Sequence, residues 1–154
     1  MKNLLLILFA VLLFQACDNI ESNTVALQAN VETGFFKAFS ATATLDENMA
    51  FTIMGQSDNQ ELVLHTQWRG QQDYELGVGF ESYATFKDSE GNIFTTDTEG
   101  SEGVITITSR GDNEQIVSGK FQFRSVLPGR DTIVVHQGLF YSVPFTYIDN
   151  STGD

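Results

Sequence analysis

The strongest constraint on the fold is a strict alternation of apolar and polar residues between positions 117 and 124. The odd positions carry apolar residues or glycine and the even positions carry polar or charged residues, in the run VSGKFQFR. Successive side chains of a β-strand point to opposite faces, so this run predicts a strand with one face on a core and the other in water.

Shorter alternating runs recur along the rest of the chain. They are separated by residues typical of turns, for example at 57–59, 70–72, 111–113 and 137–138. No segment after residue 17 sustains a helical period. The pattern therefore predicts an all-β domain of about nine to eleven antiparallel strands, with a β-sandwich favoured. The alternative is a lipocalin-like up-and-down barrel, in which Phe121 and Phe123 would line a ligand cavity instead of a solid core.

The first 17 residues, MKNLLLILFAVLLFQAC, have a different character. A basic start, a short apolar run and a small residue before the cleavage point are typical of a secretory signal peptide, and we expect the apolar run to be helical. The run is shorter than the about 20 apolar residues that a membrane-spanning helix needs. Its end resembles the lipobox of bacterial lipoproteins, in which the cysteine receives a diacylglycerol and becomes the first mature residue. Phe14 departs from the Leu, Val or Ile usual at its position, but Cys17 is the only cysteine. The resemblance implies lipidation of Cys17.

These features predict the organisation of the chain. We expect a signal peptide at 1–16, the lipidated cysteine and a polar tether at 17–24, a single β domain at 25–148 and a tail at 149–154. The diacylglycerol on Cys17 would make the membrane a partner. The expected location is the bacterial cell envelope, with the outer membrane favoured over the inner and the exposed side left open.

The net charge limits the classes of partner that the protein can bind. The chain has 20 acidic and 8 basic residues and a formal net charge of −12, which argues against binding to nucleic acid. With one cysteine, no intrachain disulfide can form, so stability must come from the core.

Four blocks carry a resemblance to a known family. They are G-x-x-x-Y-E-L-G at 70–77, G-V-I-T-I-T at 103–108, S-G-K-F-Q-F at 118–123 and Q-G-L-F at 137–140. In this order they resemble an uncharacterised family of small lipoproteins of the Gram-negative envelope, and the likeness spans residues 27 to 143. The resemblance implies a lipid-anchored all-β domain and transfers no site residues.

One stretch has the composition of a ligand-binding surface. Trp68, Arg69 and Tyr74 surround a polar turn, and aromatic rings beside Arg, Gln and Asp are typical of sugar-binding platforms. We therefore name Trp68, Arg69 and Tyr74 as candidate ligand-binding residues. The alternative is that the two rings close the core at a strand end.

Other candidate chemistry is weaker. His65 and His136 lack the spacing of a zinc site, and the acidic stretches 88–92 and 97–102 lack the full ligand order of a calcium loop. No nucleophile elbow, phosphate loop or metalloprotease motif occurs, so we expect no enzyme, metal or cofactor.

Three functions remain as hypotheses. The first is a non-enzymatic module that binds a small molecule, a glycan or a partner protein. The second is a structural or accessory subunit of an envelope complex, which a long exposed edge strand would favour. The third is a hydrolase with a dispersed site, which would need histidine and carboxylate side chains that converge in a deep cleft. The oligomeric state is left open.

Overall fold

The expected all-β fold is confirmed. The computed structural model describes residues 26–127, 129 and 131–149. They form eleven strands: β1 (Leu27–Val31), β2 (Gly34–Lys37), β3 (Ser40–Asp46), β4 (Ala50–Gln56), β5 (Glu61–Gln67), β6 (Asp73–Gly77), β7 (Tyr83–Lys87), β8 (Ile93–Thr95), β9 (Glu102–Gly111), β10 (Ile116–Val126) and β11 (Thr132–Ile148). No helix in these ranges is long and apolar enough to cross a bilayer. The predicted signal peptide, Cys17 and nearly all of the tail lie outside the described residues.

The strands form one curled sheet that folds over on itself. Its order is β6-β9-β10-β11-β3-β4-β5-β7-β8, with β1 beside β11 and β2 beside β1. We call the side formed by β6, β9, β10, β11, β1 and β2 the front sheet. The side formed by the end of β11 with β3, β4, β5, β7 and β8 is the back sheet. The two share β11, whose Ser142 has a φ of 48° at the point where the strand turns from one to the other.

One pair of the described strands is parallel, which corrects the expectation of a purely antiparallel sheet. Strand β1 runs antiparallel to β11, and β2 runs antiparallel to β1, so β2 has the direction of β11. Only Ala38 and Phe39 separate β2 from β3. The chain continues in the same direction, and β3 therefore pairs in parallel with the last residues of β11, Phe145 opposite Ala43.

Phenylalanine side chains fill the space between the sheets. Phe36 on β2 contacts Phe86 on β7 edge-to-face, with ring centroids 5.8 Å apart. Phe121 and Phe123 are each only 3% exposed, and Phe121 stacks on Phe140 at 6.4 Å. The rings of these two phenylalanines therefore belong to a packed core, as the favoured sandwich predicted, and do not line an internal ligand cavity.

The predicted turn at Gln137-Gly138 is wrong. Both residues lie inside β11, where Gln137 has a φ of 51° next to an irregular pairing register, as in a β-bulge. Gly138 is buried, and a Cβ there would approach the Phe121 ring to 2.5 Å. Glycine is required here because an aromatic ring packs directly on the backbone. In the sequence, such a glycine cannot be told from a turn glycine.

Candidate functional site

The outer face of the front sheet carries an open groove of about 580 Å³. Strands β6, β9, β10 and β11 provide its floor, and the loop after β6 forms one rim. The lining side chains from these elements include Asp73, Glu75, Phe80, Glu102, Val104, Gln122, Arg124, Val134 and His136. We refer to it as the front groove.

Strand register arranges the charges of the front groove in order. Glu75 on β6 lies opposite Val104 on β9, which lies opposite Gln122 on β10. In the next row Glu102 lies opposite Arg124. Carboxylates therefore occupy β6 and β9, while Gln122 and Arg124 lie on β10 and His136 on β11. Val104 lies between Glu75 and Gln122, and Val134 lies beyond Arg124 on β11, so hydrogen-bond acceptors and donors share the groove with two apolar side chains.

Two loops border the front groove at the same end of its strands. The Arg124 guanidinium donates to the Gly100 carbonyl oxygen at 2.8 Å. That loop is itself held to β10, because the Val126 N–H donates to Ser101 Oγ at 2.9 Å. Phe80, on the loop after β6, is 50% exposed, and both its ring and the Ser101 carbonyl lie close to Gly77. Its loop is shaped by Gly77 and Gly79, whose φ values of 145° and 88° favour glycine.

The structure separates the three candidate residues that the sequence grouped. Arg69 and Tyr74 line a smaller depression of about 240 Å³ beside the front groove. Tyr74 is 6% exposed and closes the turn, since its hydroxyl accepts from the Arg69 N–H at 2.9 Å and donates to the Gly70 carbonyl at 2.6 Å. The Arg69 side chain pairs with Glu81. The Tyr74 ring is thus too buried to present a face for stacking.

Trp68 lies away from that depression. Its ring packs on Phe51 with centroids 6.0 Å apart, and the Arg110 guanidinium lies 4.7 Å from its centre. Arg110 also contacts the Phe145 ring at 5.3 Å. The face of Trp68 is therefore covered by side chains of the protein itself, as expected for a ring that closes the core at a strand end.

The other candidate metal-binding side chains are far apart or already hydrogen-bonded within the protein. His65 lies on β5 of the back sheet and His136 on β11 beside the front groove, on strands that are not neighbours. Across the described ranges, no three His, Cys, Asp or Glu side chains are grouped to hold a metal ion. In the 88–92 stretch, burial raises the pKa of Asp88, but hydrogen bonds from Asn92, Glu90 and Gly91 outweigh it, so the pKa falls below its ordinary value. The Asp88 carboxylate is used to shape a hairpin loop.

His65 makes a contribution to the free energy of unfolding that depends on pH. Its ring stacks on Tyr83 at 4.7 Å, and Nδ1 lies 3.0 Å from Thr52 Oγ1. Burial lowers the pKa of His65 below its ordinary 6.5, an effect that Asp46 and Asp97 only partly oppose. Because the unfolded chain binds this proton at higher pH, the contribution is complete above pH 6.5 and declines as the pH falls through that value towards the folded pKa.

We expect urea unfolding between about pH 8 and about pH 5 to show this loss of stability in the wild type. His65→Gln should make the dependence shallower. Equal pH dependence in wild type and His65→Gln would contradict the assignment to His65.

The histidine of the front groove is far from Glu75. His136 on β11 and Glu75 on β6 are separated by three strand spacings, or about 14 Å, which is too far for a hydrogen bond. The groove is also open instead of deep. Its side chains can hold a polar ligand by hydrogen bonds, but the histidine and this carboxylate do not converge on one reacting atom.

Sequence reasoning did not identify the front groove. Alternation indicates that Glu75, Gln122 and Arg124 face outward, yet it does not tell which strands are neighbours. The pairing of β6 with β9, past β7 and β8, brings these residues together. An apolar residue among the outward positions, such as Val104, is the one signal that this face differs from a plain solvated surface.

Comparison with known proteins identifies a family and nothing closer. No curated protein and no solved structure matches the chain. The family model described as "Domain of unknown function (DUF6252)" matches residues 23–144, which covers β1 to β10 and most of β11. The expectation of an uncharacterised family is confirmed, and the chain belongs to the DUF6252 family.

Proposed function

We propose that the protein is a lipid-anchored, non-enzymatic binding module of the bacterial envelope whose ligand occupies the front groove. The observation that carries the proposal is the groove itself, where carboxylates, an amide and a guanidinium line an open floor that also includes valine side chains. The N-terminal sequence supports the anchor, since Cys17 follows an apolar leader at the position of a lipid acceptor. The outer membrane is the proposed location.

The lining favours an uncharged polar ligand, and we propose an oligosaccharide. A carboxylate side and a guanidinium side in one groove would each repel a ligand of the same charge. Sugar hydroxyls both donate and accept, so they can use Glu75, Gln122 and Arg124 together. The C–H faces of a pyranose suit Val104, Val134 and the exposed Phe80 ring at the rim.

The short edge strands of the sheet do not favour the accessory-subunit hypothesis. The described strands that pair on one side only are short: β2 has four residues, β6 five and β8 three. Short edges are a common protection against strand addition by another chain. A groove therefore supports binding better than these edges support assembly through an added strand.

The anchor is tested by mass spectrometry of the membrane fraction. We expect the native protein to lack residues 1–16 and to carry an acyl mass increment on Cys17, and we expect Cys17→Ala to lose that increment. Each buried methylene contributes about 0.8 kcal/mol to attachment, so loss of the diacylglycerol should move the protein to the soluble fraction. A mature wild-type protein with a free Cys17 thiol would contradict the anchor.

The front groove is tested by screening an array of bacterial oligosaccharides and measuring affinity by calorimetry. We expect Arg124→Ala to weaken binding about tenfold, because a hydrogen bond to a charged group contributes about 1.5 kcal/mol or more. Lys87→Ala is the matched control, since Lys87 is an exposed cation at the end of β7 in the back sheet. Binding that Arg124→Ala and Gln122→Ala leave unchanged would place the ligand elsewhere.

A further inference from the structure

Large apolar side chains are exposed at one corner of the front sheet, on the outer face of β2, β1 and β11. Phe35 and Phe39 are 57% and 67% exposed, and Leu139 and Tyr141 are 45% and 54% exposed. We call these four residues the apolar corner. Exposed apolar side chains that cluster in this way mark a contact surface, whereas isolated ones are ordinary.

Backbone pairing brings Phe39, Leu139 and Tyr141 around the start of β1, whereas Phe35 lies opposite Asn30, whose partner on the other side is His136. Lys37 and Leu139 both lie opposite Gln28 of β1, one on each side. One row further, the Tyr141 N–H donates to the Ala26 carbonyl at 2.8 Å, and the Ala38 N–H donates to the Leu27 carbonyl at 3.0 Å. Phe39 and Tyr141 therefore lie on either side of Ala26, the first residue that the structure describes.

The charges around the apolar corner differ from those of the whole chain. Although the chain has a formal net charge of −12, the corner is bordered by Lys37 on β2 and Lys120, which pairs with Leu139. The carboxylates on the strands of the front sheet lie on β6 and β9, at its opposite side, and Glu32 lies in the turn at the far end of β1. On the back sheet, Glu61 lies opposite Gln56, whose carbonyl accepts from the Phe39 N–H at 2.9 Å. Lysine beside apolar and aromatic side chains is the composition of a surface that lies on a phospholipid headgroup layer.

The length of the tether determines which surface the corner can reach. Eight residues lie between Cys17 and Ala26, and the nine Cα-to-Cα steps that join these two residues span at most about 30 Å when fully extended. If Cys17 carries a diacylglycerol, as in the proposed function on which this inference rests, the corner cannot move far from the bilayer. Tyr and Phe rings are well suited to the boundary between headgroups and acyl chains.

We propose that the apolar corner rests on the membrane that holds the lipidated Cys17, with Phe39 and Tyr141 in the headgroup layer. The anchored domain then has one orientation instead of tumbling on its tether. The front groove and the corner share one face of the front sheet, so the groove opens close to the membrane surface. Its ligand would therefore be presented at that surface, as the sugar of a glycolipid headgroup is.

The orientation can be measured with nitroxide spin labels on the full-length protein after processing in membranes. Because acylated Cys17 has no free thiol, Leu139→Cys and, separately, Phe39→Cys each provide one labelling site. Ile93→Cys is the control, since Ile93 is 55% exposed on β8 of the back sheet. The protein is reconstituted in vesicles of phosphatidylethanolamine and phosphatidylglycerol, and collisions of the label with oxygen and with a water-soluble nickel complex are compared.

At positions 39 and 139 we expect a several-fold higher ratio of oxygen to nickel collisions than at position 93, because oxygen concentrates in lipid and nickel in water. A ratio equal to that of the control would overturn the proposal. Low accessibility to both reagents would also overturn it, since that result indicates a protein partner or a second copy on the corner. Failure of the anchor is seen separately, because unacylated protein would take a second label on Cys17 and remain in the soluble fraction.

Discussion

Replacing Gly119 with valine is expected to lower the free energy of unfolding by about 3 kcal/mol or more. A Cβ at this position would lie 2.2 Å from the Thr106 carbonyl oxygen and 2.3 Å from the Phe140 ring. The ring has no free space to enter, because Phe140 is fully buried and stacks on Phe121. The carbonyl belongs to the pairing of β9 with β10, so relief of the clash must separate two central strands.

Urea unfolding followed by circular dichroism measures this effect, and Gly111→Ala is the matched control. Gly111 lies on β9, where a Cβ would come no closer than 3.3 Å, to a side-chain atom of Ile116. We expect the control to change stability by less than about 1 kcal/mol. A folded Gly119→Val protein with wild-type stability would show that the close approach of Phe140 to the backbone is not required.

Substitution of Arg110 by alanine is the second large effect, and we expect a loss of about 2–3 kcal/mol. The side chain is 12% exposed, and its guanidinium lies over Trp68 and Phe145. One of its terminal nitrogens donates to the Tyr147 hydroxyl at 2.9 Å. Nε lies 2.6 Å from Asp112 Oδ1 as an ion pair without hydrogen-bond geometry. Removal of Arg110 would uncover the Trp68 ring and unpair Tyr147.

Two controls separate burial from charge in this prediction. Arg69→Ala removes an arginine whose ion pair with Glu81 is about two-thirds exposed on both side chains, 65% and 63%, and we expect less than about 1 kcal/mol. Arg110→Lys keeps the charge but not the planar stacking, so it should recover only part of the loss. Trp68 is the only tryptophan, and its emission should shift to longer wavelength in Arg110→Ala. Equal losses for Arg69→Ala and Arg110→Ala would contradict the role assigned to the stacking.

Alternation predicted the strands of this protein well because a half-buried strand needs little beyond its own residues. The residues of β10 that were expected to face inward, Val117, Gly119, Phe121 and Phe123, are all buried. Alternation did not predict positions where the residue type depends on contact with a residue distant in sequence. Gln137-Gly138 is a typical turn sequence, yet it lies inside β11, where the close Phe121 ring leaves no space for a side chain at position 138.

The sites were less predictable than the fold for the same reason. Trp68, Arg69 and Tyr74 are close in sequence. In the structure, however, Trp68 packs against Arg110, and the Tyr74 hydroxyl donates to the Gly70 carbonyl. The front groove instead draws on strands that are distant in sequence, with β6 joined to β9 and β10 to β11. Local spacing contains no information about such neighbours, because strand order depends on the whole chain.

The position of β11 has a consequence for when the domain can fold. This strand is the last of those described, and it pairs with β1 and β3 from the beginning of the domain as well as with β10. Neither sheet is complete without it, so the nascent polypeptide must wait until residues up to about 148 have emerged before it can collapse to its final form. If the chain is exported, as the proposed function requires, this delay would keep it unfolded during export.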